Sequence, residues 1–138
     1  MVKAEIDRQL MVRVDNTVGM LAQITNLIAS SGINMSAICA YSVGKTCALM
    51  LVTEDNNATK KVLEEHNFKV EEEEVILLTI DNKPGALQNI TNKIAQAGID
   101  LNLIYGTADN GGDICRIVII SPRLYDIMLI INTEIKRA

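Results

Sequence analysis

Two stretches of this chain carry nearly the same text. Residues 15–38 open Asp15-Asn16-Thr17-Val18-Gly19-Met20-Leu21, and residues 81–104 open Asp81-Asn82-Lys83-Pro84-Gly85-Ala86-Leu87. They align without a gap at an offset of 66, with 12 identities in 24 positions. Self-similarity at such a period means two copies of one supersecondary unit, and it restricts the fold more than any single motif does. The chain has 138 residues, 49% of them hydrophobic, so each copy is marginal in size and two copies need to share burial.

The pattern around each repeat is readable in order. Residues 2–14 read as a strand, with Leu10-Met11-Val12-Arg13-Val14 its apolar centre. Asp15-Asn16 are turn and N-cap formers. A helix is expected from about Gly19 to Ser31, with Leu21, Ile24, Leu27 and Ile28 in one inward stripe and Gly32 as its stop. A strand over Asn34–Val43, a hairpin at Gly44-Lys45 and a returning strand over 46–53 follow. A second helix starts at Asp55-Asn56-Asn57, turns Ala58, Val62 and Leu63 to the core and stops at Asn67.

The order then recurs. The extended text of 68–80 is long for one strand and reads as two segments, with Glu71 to Glu74 at an overhang or a solvated sheet edge. A helix over about Gly85–Ala97 points Leu87, Ile90 and Ile94 inward. Strands over Asp100–Ala108 and Ile114–Ile120 flank the hairpin Asp109-Asn110-Gly111-Gly112, two residues longer than its counterpart, and a last helix begins near Pro122. The expected fold class is α+β: two ferredoxin-like βαββαβ units with antiparallel sheets and helices on one face. The expected boundaries are 1–68 and 69–138. Lys3 to Arg8 aligns with Lys69 to Glu74, so residues 1–8 are expected to complete the second unit and 69–74 the first, an exchange of strands.

Composition narrows the function. The net charge of −4 and the 3% aromatic content disfavour nucleic-acid binding, which favours a basic surface and stacking side chains. Cys39, Cys47 and Cys115 form no CxxC pair and lie in strand text, where buried small hydrophobes are expected; His66 is the single histidine. No metal site or cofactor is therefore expected, and no catalytic residue, because no nucleophile–base pair or phosphate loop is evident. No apolar run reaches about 18 residues, so neither a membrane span nor a leader is expected and a cytoplasmic location is the default.

The loop Asp81 to Leu87, the helix after it, the turns Gly98-Ile99-Asp100 and Gly32-Ile33-Asn34, and the duplication together resemble the ACT domain, a ligand-sensing module of amino-acid metabolism. The arrangement is similar to stand-alone prokaryotic proteins made of two ACT domains. The resemblance implies a non-catalytic regulatory, allosteric module that binds a free amino acid where ACT units meet. It also implies a homodimer or higher homo-oligomer and a regulated protein partner. The alternative is a ligand-free assembly or interaction module.

By position, the resemblance implicates Asp15, Asn16, Gly19, Met20 and Leu21 with Asn34 and Met35. In the second copy it implicates Asp81, Asn82, Pro84, Gly85, Ala86 and Leu87 with Asp100 and Leu101. The physics of the residues agrees. Amides at a helix N-terminus suit a carboxylate, and Asp or Asn beside them accept from an ammonium. A turn and N-cap would use the same Asp-Asn pairs without any ligand. The copies are unequal: the second keeps Lys83-Pro84-Gly85 and the first has Thr17-Val18-Gly19. On that ground the Pro84-Gly85 copy is expected to be the occupied one, with Asn34 or Met35 of the other half beside it.

Overall fold

The computed structural model describes residues 1–108 and 111–137. The strands and helices follow as β1 (Val2–Asp15), α1 (Met20–Ser30), β2 (Met35–Val43), β3 (Thr46–Thr53) and α2 (Asn56–Glu65). Then come β4 (Val70–Asp81), α3 (Ala86–Gln96), β5 (Leu103–Ala108), β6 (Ile114–Ile120) and α4 (Leu124–Arg137). Residues 8–73 form one compact unit, and residues 1–7 with 74–138 form the other.

In the unit of residues 8–73 the strands lie in the order β2-β3-β1-β4. The β1–β3 ladder is antiparallel and pairs Leu10 with Leu51 and Val12 with Leu49. These side chains share one face, because alternate residues of a strand do. They pack with Ile24 and Ile28 of α1 and Leu63 of α2 into the core. Gly32, at φ +71, ends α1: the Ile33 amide donates back to Ile28 O at 3.3 Å. Asp55 caps α2, its Oδ1 accepting from the Ala58 amide at 3.0 Å, and Asn67 leaves it at φ +67.

In the other unit the order is β1-β4-β6-β5. Ile76, Leu78 and Ile80 of β4 and Ile117 and Ile119 of β6 meet Ile90 and Ile94 of α3 and Ile127 and Ile131 of α4. Val2, Ala4 and Ile6, alternate residues of β1, pack against the same core. Gly98 repeats the helix stop at φ +68, with Ile99 donating to Ile94 O at 3.2 Å. Each unit is thus an antiparallel sheet with two helices packed on it, the ferredoxin-like arrangement expected.

Several local expectations are revised. Residues 70–81 form one strand, not two segments, with β1 and β6 as its neighbours. The glutamates within it are not left to solvent alone. Glu71 lies 3.6 Å from Arg13, Glu72 accepts from Arg8 at 2.9 Å, and Glu73 accepts from Gln9 at 2.7 Å. Glu74 accepts from the Tyr125 hydroxyl at 2.6 Å, which pushes the phenol above its ordinary range. The hairpin residues Asp109 and Asn110 lie outside the described residues.

In α2 the buried pair is Thr59 and Leu63, with Ala58 and Val62 only half-buried. Thr59 is tolerated at 0% exposure because its hydroxyl donates to Asp55 O at 2.8 Å and meets Thr53 Oγ1 at 3.1 Å. Thr59→Val keeps the shape and removes both bonds. It is expected to lower stability by about 1–2 kcal/mol, read as a fall in the urea midpoint at unchanged slope.

Candidate functional site

The corner between β1 and α1 is built by glycine. The chain leaves β1 at Asp15 and enters α1 through Gly19 at φ +85 and ψ 0, a left-handed conformation that costs an L side chain about 1–2 kcal/mol. Gly85 does the same before α3, at φ +86 and ψ −11. The sequence assigned the capping role to Asp15-Asn16 and Asp81-Asn82. In both corners glycine is instead the N-cap residue and no side chain caps the helix, so those four side chains are available for other partners.

In the first corner they remain available. The Asn16 amide donates to Lys45 O of the β2–β3 hairpin at 2.7 Å, which seats the loop against the sheet. The Asp15 and Asn16 side chains make no hydrogen bond among the described residues. Nor do the amides of Leu21 and Ala22, since the Met20 amide closes on Thr17 O and the Gln23 amide on Gly19 O. A cavity of about 470 Å³ lies here. Asp15, Asn16, Thr17 and residues 19–22 line one side, and Ala40, Tyr41 and Ser42 of β2 with Cys47 of β3 line the other.

The second corner has the same backbone and different side-chain partners. The Asn82 amide donates to Asp113 O at 3.0 Å, matching the Asn16 contact. Here the side chain is engaged as well, Nδ2 donating to Gly112 O at 3.0 Å. Asp81 Oδ2 accepts from the Met1 ammonium at 2.7 Å and lies 3.6 Å from Lys83 Nζ. The ammonium's hydrogen bond, more than Lys83, holds the Asp81 carboxyl below the usual carboxylate range. A cavity of about 320 Å³ borders this corner, walled by Leu87 of α3, residues 104–108 of β5, and Cys115 and Ile117 of β6.

Of the residues singled out in the first copy, Asp15, Asn16, Gly19, Met20 and Leu21 therefore share one cavity. Asn34 and Met35 do not join them within their unit. Met35 pairs with Thr53 at one end of the β2–β3 ladder and Val43 with Thr46 at the other, about 26 Å away at 3.3 Å per residue. Asn34 Nδ2 points to Glu54 Oε1 at 3.4 Å, and Met35 packs on the core. In the second copy Leu87 lines the cavity, whereas Pro84 and Gly85 form the turn and Ala86 packs on the core. Asp100 and Leu101 lie at the far end of β5, Asp100 O accepting from Ser121 Oγ at 2.7 Å and Leu101 packing on the core.

Sequence reasoning missed the sheet wall of each cavity, Ala40 to Ser42 and Ile104 to Ala108. A signal existed. Beyond the longer hairpin the repeat offset is 68, which superposes Cys47 on Cys115, and both thiols are half-buried at the cavities rather than sealed in the core. A second signal was the helix stripe. Leu21 and Leu87, expected to point inward, are 48% and 37% exposed: in the first helical turn Met20 and Ala86 pack on the cores, and Leu21 and Leu87 border the cavities instead. Among the described residues no group of His, Cys, Asp or Glu could hold a metal ion, and no helix is long and apolar enough to cross a membrane.

Residues 10–67 match the family described as AHAS small subunit-like ACT domain. No curated protein sequence matches the chain. Solved structures share the fold across nearly its whole length. Protein BT0572 from Bacteroides thetaiotaomicron has a TM-score of 0.88 at 24% identity, over 95% of this chain and 90% of that one. The regulatory subunit of aspartate kinase from Thermus thermophilus, in a ligand-free form, has a TM-score of 0.70 at 14% identity, over 96% of each chain. E. coli aspartokinase III in complex with lysine and aspartate has a TM-score of 0.59 at 14% identity, over 96% of this chain and 32% of that one.

Proposed function

We propose that this chain of tandem ACT-type units is a regulatory module without catalytic activity of its own, whose ligand is a free amino acid held at the strand-to-helix corner. One observation carries the reading: the first corner gathers unengaged amides and unengaged Asp15 and Asn16 side chains at one cavity. Amides at a helix start attract a carboxylate, and the Asp15 carboxylate and Asn16 carbonyl accept from an ammonium. Three or four charge-assisted bonds of about 1.5–3 kcal/mol each, less the cost of ordering, give micromolar to millimolar affinity. That an aspartokinase of similar fold is crystallised with lysine and aspartate supports the ligand class.

The corner is completed, in this reading, by a second copy of the chain. Asn34 and Met35 sit too far along β2 to reach the corner of their own unit, and β2 is the end strand of its sheet. Leu21, Ile38 and Tyr41, all more than two-fifths exposed, lie on or beside that strand. The same apolar patch favours a second reading, an assembly module that needs no ligand.

The two separate in a thermal melt with each common L-amino acid at millimolar concentration. Ligand binding to the native state is expected to raise the midpoint by a few degrees, about 1–3 kcal/mol at ten to a hundred times Kd. No shift with any amino acid, in a chain that still self-associates by sedimentation, leaves the assembly reading.

A further inference from the structure

We infer that the two corners have diverged in role: the corner of residues 15–22 is the binding site, and the corner of residues 81–88 is a structural clasp, so the chain takes one amino acid per copy, not two. The inference rests on the reading given above and reverses the preference drawn from Pro84-Gly85.

The divergence has a cause in the sequence. The β5–β6 hairpin is two residues longer than the β2–β3 hairpin. At the shorter hairpin Asn16 meets the sheet through its backbone alone. At the longer one Gly112 O lies 3.0 Å from Asn82 Nδ2, so the carboxamide that could hold a ligand holds the hairpin instead. The second acceptor is also engaged, Asp81 lying 3.6 Å from the Lys83 ammonium, where the first copy has Thr17 and no cation.

The cavities differ in the same sense. Beside Leu21, β2 presents the hydroxyls of Tyr41 and Ser42; beside Leu87, the matching β5 positions are Thr107, which keeps one hydroxyl, and Ala108, which has none. A zwitterion needs donors and acceptors on the wall, and the second cavity, although Tyr105 and Thr107 border it, is the more apolar of the two.

The test is calorimetric titration of the full chain with whichever common L-amino acid most raises its melting point, repeated on Asn16→Ala and Asn82→Ala. The expected result is one ligand per chain. Asn16→Ala is expected to lower affinity roughly tenfold or more and leave the melting point of the ligand-free chain unchanged. Asn82→Ala is expected to keep affinity within about twofold and lower that melting point by a few degrees, because it frees Gly112 O. Two ligands per chain, or an affinity loss for Asn82→Ala equal to that of Asn16→Ala, overturns the assignment while leaving amino-acid binding in place. Failure of every amino acid to bind removes the underlying reading, and this assignment with it.

Discussion

A chain lacking residues 1–7 is expected to lose the fold of residues 74–138 before that of residues 8–73. The segment lies beside β4 in the unit it joins, and Val2, Ala4 and Ile6 send half-buried side chains into the core of Ile76, Leu78 and Ile127. Three such side chains contribute on the order of 1 kcal/mol each, being only partly buried. The backbone groups of β4 that lose their partner strand add to the loss, so on the order of 3–5 kcal/mol disappears from one unit. A unit of this size has little more than that to lose.

Hydrogen exchange reads the outcome. Amides of β4 residues 74–81 and of β6 are expected to lose protection, while those of β3 and the later half of β1 keep it. Ile6→Ala supplies a graded control, costing about 1 kcal/mol in the same region. Uniform retention of protection after the truncation would show that the N-terminal segment completes nothing, and the proposed exchange of strands between repeats would fall.

That exchange is proposed from the alignment of Lys3 to Arg8 with Lys69 to Glu74, and the truncation tests it; what a linear pattern conveys well is simpler. Repetition, alternation in strands and glycine at helix ends are local and periodic. Gly19, Gly32, Gly85 and Gly98 all adopt the positive φ their positions imply. The pattern conveys less wherever a side chain's partner is distant. Leu21 belongs to an apolar helical stripe, yet it borders the cavity facing β2 while its neighbour Met20 packs on the core. Asn16 and Asn82 are identical in the repeat alignment and differ in the fold, because the deciding atom is Gly112 O, thirty positions further on. Identity within a motif records shared backbone geometry, and a two-residue difference in a neighbouring hairpin redirects the side chain.

Gly106→Ala is the second change expected to be large, and here the repeat supplies its own control. A Cβ built at Gly106 would lie 2.7 Å from Arg116 O and 2.7 Å from Ile117 Cγ1, closer than non-bonded atoms approach. The carbonyl belongs to β6, held in register with β4 on its other side, so it cannot yield without disturbing that ladder. A cost of about 1–3 kcal/mol is expected, a fall of several degrees in melting point for a unit of this size. The first copy has Ala40 at this position without harm, and the residue opposite explains part of the difference. Ala40 is not matched in its surroundings: it faces Leu49, with one Cγ on its Cβ, and Gly106 faces Ile117, with two and with Cγ1 where a methyl would sit. Gly106→Ala combined with Ile117→Leu is therefore expected to recover part of the loss, the remainder staying with Arg116 O. Because the strain falls on the β5 wall and not on the first corner, amino-acid affinity is expected to stay within about twofold in both variants at temperatures where they remain folded. A parallel loss of affinity would instead show that the wall of the second cavity takes part in binding.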